Sequence, residues 1–155
     1  MNRMKIRKRT SSFRICLALC AVLLCVNVSV CTAVDRLLVK GTSLVNEQGD
    51  TVVLKGVSLG WHNWWPRFYN SSAVKELKEQ WHCTLLRAAM GVEPEGAYLT
   101  NRQKALECMT TVVDAAIEND MYVIVDWHSH GLRTEEAKLF FRQMASSYKG
   151  VPNVI

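Results

Sequence analysis

The sequence predicts an α/β fold in which parallel strands alternate with amphipathic helices, and three observations support this prediction. Short runs rich in β-branched and other apolar residues recur along the chain, as expected for strands. Longer segments with apolar residues at helical spacing separate these runs. One of the predicted strands, residues 121–126, is almost uninterruptedly apolar, which is typical of a strand buried on both faces.

The first 33 residues are predicted to be a secretory signal peptide outside the fold. Six basic residues and no acidic residue lie within residues 1–14, and an apolar run follows at 15–30. That run is shorter than the roughly 20 residues of a membrane span. Cleavage is expected after Cys31 or Ala33, and an uncleaved signal anchor is the alternative. We therefore expect a secreted, envelope or periplasmic protein with no stable membrane partner.

Removal of this segment changes the charge of the protein. The whole chain has 19 Lys and Arg against 14 Asp and Glu. Without the six basic residues of the signal, 13 Lys and Arg face 14 Asp and Glu, a net charge of −1. A protein without a basic excess gives no support to nucleic-acid binding.

The cysteines divide in the same way as the charges. Four of the six lie in or beside the predicted signal, which leaves Cys83 and Cys108 for the folded part. Two cysteines do not make a disulfide framework. A bridge between them is possible in an oxidising compartment, but two buried free thiols are favoured.

The predicted elements follow one another as a hairpin, three strand–helix units and the start of a further strand. The expected strands are residues 37–40 and 44–46 in the hairpin, then 51–57, 84–90, 121–126 and 153–155. The helices are expected to begin at Ser71 or Ser72, at Thr100 in a capping box with Gln103, and at Thr134. The residues expected to face inward from these helices include Val74, Leu77, Trp81, Ala105, Met109, Val112, Val113, Ala116, Ile117, Ala137, Phe140, Phe141, Met144 and Tyr148.

This order favours the N-terminal half of a (β/α)8 barrel, the TIM barrel. Such a barrel needs about 250 residues, and residues 34–155 supply 122. An open doubly wound sheet is the alternative, but its usual Gly-rich phosphate turn does not follow the first parallel strand. Half a barrel leaves open strand edges and bare helix faces, so we expect this part alone to be marginally stable or insoluble.

Aromatic, cationic and imidazole side chains lie near the predicted carboxyl ends of the parallel strands, where barrel active sites lie. The candidates are His62, Trp64 and Trp65 after the first strand, Arg87 in the second and His128 in the third. Trp rings stack on the flat faces of sugars, and imidazole and guanidinium groups bond to hydroxyls. Burial in the core is the alternative for the Trp residues. For Arg87, a structural salt bridge is the alternative to holding a nearby carboxylate ionised.

A metal site and a serine hydrolase site both have little support in the sequence. His128 and His130 share one side of a strand, but no third ligand has a matching spacing. The chain has no Gly-x-Ser-x-Gly elbow. We predict no metal and no cofactor.

Five stretches in order resemble glycoside hydrolase family 5, especially its bacterial endo-β-1,4-glucanases. The matching stretches are residues 39–41 with 54–59, then 64–68 (Trp-Trp-Pro-Arg-Phe), 86–90 (Leu-Arg-Ala-Ala-Met), 122–128 (Tyr-Val-Ile-Val-Asp-Trp-His) and 148–155. The resemblance covers roughly residues 37–155 and implies a (β/α)8 barrel that hydrolyses cellulose or a related β-glucan with retention of configuration. It also implies that no cofactor is needed and that the full-length protein is a monomer.

The same resemblance assigns roles to individual positions. It implies that Arg87 supports the charge of the nucleophile and that His128 belongs to the hydrogen-bonded set around the site. Trp64, Trp65, His62 and Tyr98 are the predicted substrate contacts.

The catalytic carboxylates implied by the resemblance are a Glu in an Asn-Glu-Pro motif after strand four and a second Glu after strand seven. Both are expected beyond Ile155, so the chain as given is expected to have no catalytic residue and no activity. Glu93 and Glu95 align with neither role.

Two positions depart from the family pattern. Related endoglucanases often have His where this chain has Gly60, for which His62 is the candidate replacement, and many have Tyr where it has Gly91. A mannanase, xyloglucanase or mixed-linkage glucanase of the same family remains an alternative. A non-catalytic carbohydrate-binding remnant is another.

Overall fold

The computed structural model describes residues 34–155, so the predicted signal peptide lies outside the described part of the chain. An antiparallel hairpin comes first, and three strand–helix units follow it, as predicted. The elements are β1 (Leu38–Lys40), β2 (Ser43–Val45), β3 (Gly56–Trp61), α1 (Ser71–Glu79), β4 (Leu85–Gly91), α2 (Arg102–Glu118), β5 (Tyr122–His128) and α3 (Thr134–Ser147). A 3₁₀ turn, Pro66–Phe68, precedes α1.

The strands β3, β4 and β5 form a parallel sheet in that order. β4 and β5 pair without interruption from Leu85 with Tyr122 to Gly91 with His128. The last residues continue the pattern, because Val154 bridges Val123 in parallel. This bridge agrees with the further strand predicted at 153–155.

The two faces of the sheet have different chemistry because neighbouring residues of a strand point to opposite sides. One face packs against the helices and forms the core, whose members include Leu86, Met90, Met109, Val112, Val113, Val123 and Phe140. The other face carries Ser58, Arg87, Asp126 and His128, and it is here that polar groups meet. Helix packing therefore turns the polar residues of the strands away from the core.

Two helices begin with caps that differ from those predicted. Asn70 caps α1 in place of Ser71 or Ser72, and its side chain accepts a hydrogen bond from a backbone N–H of the first turn. Asn101 caps α2 in the same way, in place of Thr100. Asn is as good a cap as Ser and better than Thr, so the residue next to the predicted one satisfies the free N–H groups.

The third helix and the first parallel strand also begin differently from the prediction. Thr134 is the first helical residue of α3, after Arg133 in the left-handed conformation, and it is not the cap. Thr51 belongs to the hairpin, where it bridges Val45, and the parallel ladder begins only at Gly56. The backbones of β3 and β4 approach closely at Gly56, since a side chain there would collide with the carbonyl group of Leu85 in the paired strand.

Trp81 and Phe141 were predicted to face inward, but they are 67% and 45% exposed. Trp81 follows the end of α1 and therefore no longer obeys helical spacing. Each borders an apolar groove beside an outer strand of the sheet. Trp81 lines a groove of about 370 Å³ next to β3, and Phe141 lines one of about 430 Å³ next to β5.

Cys83 and Cys108 are both buried free thiols, as the sequence favoured. Burial raises the pKa of the Cys108 thiol, which keeps it protonated. Within residues 34–155, none of the helices has the length and apolar character needed to cross a bilayer.

We predict that Phe140→Ala destabilises the protein by about 3–5 kcal/mol, because Phe140 is fully buried and the change leaves a cavity. Its neighbour Phe141 is the matched control, since Phe141→Ala removes a half-exposed ring and should cost far less. Urea denaturation followed by tryptophan fluorescence gives both free energies of unfolding. Equal losses for the two variants would contradict the packing of α3.

Candidate functional site

Side chains from all three parallel strands and from the loop after β3 form one series of contacts. Trp64 stacks on Trp61, with ring centroids 4.5 Å apart and planes 10° from parallel. The Trp61 ring lies 4.8 Å from the ring of His128. His128 Nδ1 is 2.8 Å from Nη2 of Arg87. The structure therefore joins Trp64, His128 and Arg87 through Trp61, which sequence reasoning had not selected.

Arg87 is held from two sides. Its Nη2 donates to Oδ2 of Asp126 at 2.7 Å, and its Nη1 donates to Oγ of Ser58 at 3.2 Å. Asp126 Oδ2 also lies 2.9 Å from Nδ1 of His128. The arginine thus forms the salt bridge that was the alternative interpretation of its place in an apolar strand.

Asp126 was not among the predicted site residues, although a signal for it was present. Asp126 and His128 are two positions apart on one strand, and this spacing puts both side chains on the same face. That face is also the one that carries Arg87, because Arg87 pairs with Ile124 in the adjoining strand.

Trp64 is 57% exposed, whereas Trp61 beneath it is only 8% exposed. Trp61 therefore supports one face of the Trp64 ring and leaves the indole open to solvent. Gly91 makes room for this arrangement, since a side chain there would collide with Oδ1 of Asn63 and lie 2.9 Å from Trp61. Asn63 and Trp61 thus occupy the space beside position 91.

Trp65 lies in a second aromatic cluster. The guanidinium of Arg67 lies 5.1 Å from the Trp65 ring centroid and 4.9 Å from that of Phe68. Gly60 has a φ of +73°, and a Cβ there would be 2.8 Å from Trp65. Glycine at this position therefore permits both the turn and the packing of Trp65, which is 43% exposed.

Two of the predicted substrate contacts are buried in the structure. His62 is 1% exposed and Tyr98 is 3% exposed. Burial lowers the pKa of His62 to about 4, against an opposing effect of the Gly96 backbone, so the ring is neutral at pH 7. Tyr98 packs edge-on against Trp127, on the helix side of the sheet and away from Arg87.

Glu93 joins the loop after β4 to the loop after β5. Its carboxylate accepts hydrogen bonds from Oγ of Ser129 at 2.7 Å and from the backbone N–H groups of His130 and Gly131, each at 3.2 Å. Arg133 adds an ion pair at 3.8 Å. Burial acts to raise the pKa of Glu93, but the hydrogen bonds from Ser129, His130 and Gly131 outweigh it and lower the pKa to about 2.

The part of the chain from residue 34 onward contains no group of three or more His, Cys, Asp or Glu side chains placed to hold a metal ion. His128 and His130 instead lie against the ring of Trp61, at centroid distances of 4.8 Å and 5.2 Å.

Residues 45–155 match the cellulase family, glycosyl hydrolase family 5. Endoglucanase Z of Dickeya dadantii is 39% identical over 139 residues, which are 86% of this chain and 32% of that protein. Endoglucanase A of Butyrivibrio fibrisolvens is 35% identical over 129 residues, 77% of this chain and 30% of that protein. The chain therefore spans about a third of the length of these relatives.

Solved structures agree with this match. A protein from Cytophaga hutchinsonii is 45% identical with a TM-score of 0.73, over 77% of this chain and 39% of its own. The catalytic domain of Thermobifida fusca endoglucanase Cel5A is 30% identical with a TM-score of 0.69, over 77% and 41%. A variant of that domain has been solved with cellotetraose. These matches confirm the predicted partial barrel.

We predict that Glu93 makes stability depend on acidity between pH 4.5 and pH 2. The folded pKa of about 2 lies below the ordinary value of 4.5, so its stabilisation is complete above pH 4.5 and is lost as the pH falls through 2. Glu93→Gln should flatten this part of a plot of Tm against pH. Glu95→Gln is the control, since no hydrogen bond joins that carboxylate to the described residues. A wild-type slope in Glu93→Gln would contradict the assignment.

Proposed function

Because the chain belongs to glycosyl hydrolase family 5, we propose that the full-length protein hydrolyses β-1,4-glucosidic bonds of cellulose or a related β-glucan. The proposed mechanism is retaining double displacement through a covalent glycosyl-enzyme. Residues 34–155 would supply one wall of the substrate groove and the groups that position the reacting atoms.

The observation that carries this proposal is the contact series from Trp64 through Trp61 and His128 to Arg87. An exposed indole lies at one end of the series and a paired cation at the other. A glucose unit offers apolar C–H faces and hydroxyl edges, so it can stack on Trp64 and bond to the imidazole of His128. The series reaches the carboxyl ends of β3 and β5 at Trp61 and His128, and barrel enzymes bind their substrates at the carboxyl ends of the strands.

Arg87 and Asp126 would set the charge of this wall. Paired with Asp126, the guanidinium still has N–H groups beyond those bonded to Asp126 and Ser58, because it carries five donors. One of these is available to a carboxylate nucleophile, whose ionised form it would stabilise. His62 and Tyr98 are not included among the proposed sugar contacts, since both are buried.

The catalytic carboxylates are proposed to lie in chain that follows Ile155. Two Glu residues about 5 Å apart are needed for double displacement, one as acid and base and the other as nucleophile. Residues 1–155 alone would accordingly bind glucan weakly and hydrolyse none.

We further propose that the protein is exported and acts as a monomer on extracellular or periplasmic β-glucan. Residues 1–33 would act as the signal peptide, and cleavage after Cys31 or Ala33 would leave a chain that begins at Thr32 or Val34. N-terminal sequencing of the exported protein distinguishes this from an uncleaved anchor.

The test of the proposed function is the stereochemistry of hydrolysis by the full-length protein. With cello-oligosaccharides, ¹H NMR should show the β-anomer of the new reducing end first and the α-anomer only later, by mutarotation. Initial release of the α-anomer would overturn the retaining mechanism. Hydrolysis of mannan with no hydrolysis of cellulose would overturn the substrate.

We predict that Trp64→Ala in the full-length protein weakens cellotetraose binding about 2- to 13-fold. This is the equivalent of roughly 0.5–1.5 kcal/mol for a lost aromatic contact. Trp81→Ala is the matched control, because Trp81 is 67% exposed against 57% for Trp64 but lies beside α1, outside the contact series. Isothermal titration calorimetry measures both affinities in a full-length background whose catalytic glutamates are replaced by glutamine, so that cellotetraose is not hydrolysed during the titration. Equal effects of the two variants would argue against Trp64 as a sugar contact.

A further inference from the structure

We propose that Asp126 is a positioning residue that holds His128 as the tautomer protonated on Nδ1, so that Nε2 presents a lone pair to the groove. The inference deepens the proposed function, and it rests on that function only for the nature of the ligand. The group that Nε2 would bind is an O–H donor, such as a sugar hydroxyl. Asp126 would act through His128 and would not touch the ligand.

The argument begins with a triangle of three polar atoms. Asp126 Oδ2 lies 2.7 Å from Arg87 Nη2 and 2.9 Å from His128 Nδ1, and the two nitrogens are 2.8 Å apart. Arginine can only donate and an ionised carboxylate can only accept. The protonation of Nδ1 therefore decides which of the three contacts are hydrogen bonds.

Two arrangements are possible, and they differ in the contact that is left unfavourable. If Nδ1 accepts from Arg87, its lone pair faces the anionic Oδ2 at 2.9 Å. If Nδ1 carries the proton, both donors converge on Oδ2, and the unfavourable contact is the 2.8 Å approach of the two donor nitrogens. Both arrangements keep the bond from Arg87 to Asp126 and contain a second charge-assisted bond, so they differ in the contact that remains. An anion facing a lone pair is relieved by nothing nearby, whereas two donors side by side are relieved by the carboxylate that both of them bond. A carboxylate partner at Nδ1 commonly sets this tautomer.

The surroundings hold the triangle in place. Ser58 binds the other terminal nitrogen of Arg87, which limits rotation of the guanidinium. Trp61 packs 4.8 Å from the His128 ring at an angle of 57° and restricts turning of the imidazole. The His128 side chain is 36% exposed, and its Nε2 makes no hydrogen bond to any residue from 34 to 155. Nε2 is thus the free end of the ring.

The wild-type protein provides the first test. In long-range ¹H–¹⁵N NMR of the ¹⁵N-His-labelled full chain above neutral pH, His128 should give the pattern of an Nδ1–H ring with an unprotonated Nε2. The His128→Gln variant assigns the signals by their loss. A wild-type pattern with the proton on Nε2 would overturn the proposal without reliance on any variant at position 126.

The second test separates positioning from general structural support. Asp126→Asn keeps the side-chain shape but removes the charge, so the His128 signals should lose the Nδ1–H pattern. Ser58→Ala, which removes the other contact of Arg87, should leave that pattern unchanged. An Asp126→Asn protein that melts cooperatively and keeps the wild-type tautomer would overturn the proposal. Cellotetraose titration tests the proposed function separately, because the tautomer of His128 can be measured whether or not cellotetraose binds.

Discussion

The in-register pairing of β4 with β5 is the constraint on which the rest of the site depends. Parallel neighbours keep their side chains in phase, so the register that buries Leu86 and Val123 also turns Arg87, Asp126 and His128 to the other face. A slip of one residue would exchange the two faces of the strand and place a charge in the core. Formation of the core and assembly of the polar face are therefore a single event.

The half-buried charge of Arg87 explains much of the local architecture. A guanidinium at this depth is destabilising unless it is paired and hydrogen-bonded, and Asp126 and Ser58 supply these partners. Trp61 then fills the space above, with Trp64 on one side and His128 on the other. Trp61 thus connects the aromatic part of the site, Trp64, to the ionic part, through His128.

The sequence predicted the order and type of the elements well because strand and helix periodicities are strong over the length of β5 and α2. The sequence did not predict the exact helix caps or which side chains of the loop after β3 are buried. These features depend on a choice between adjacent residues or on contacts between distant parts of the chain. Asn70 stands directly before the predicted cap Ser71, and Asn101 stands directly after Thr100. Adjacent Asn, Ser and Thr residues can all cap a helix, so composition alone does not fix the starting residue. His62 and Trp64 lie in one irregular loop, where no periodicity shows which side chain is buried. Asp126 could have been predicted from its spacing to His128.

The carboxylate of Glu93 has a consequence for how such a protein can vary. It gathers donors from three consecutive residues of the loop after β5, so the two loops at the rim cannot move or change length separately. An insertion in one loop would break the hydrogen bonds to the Glu93 carboxylate unless the other loop changed to match it. A change in the shape of the substrate groove, whether evolved or designed, would therefore require coordinated changes in both loops.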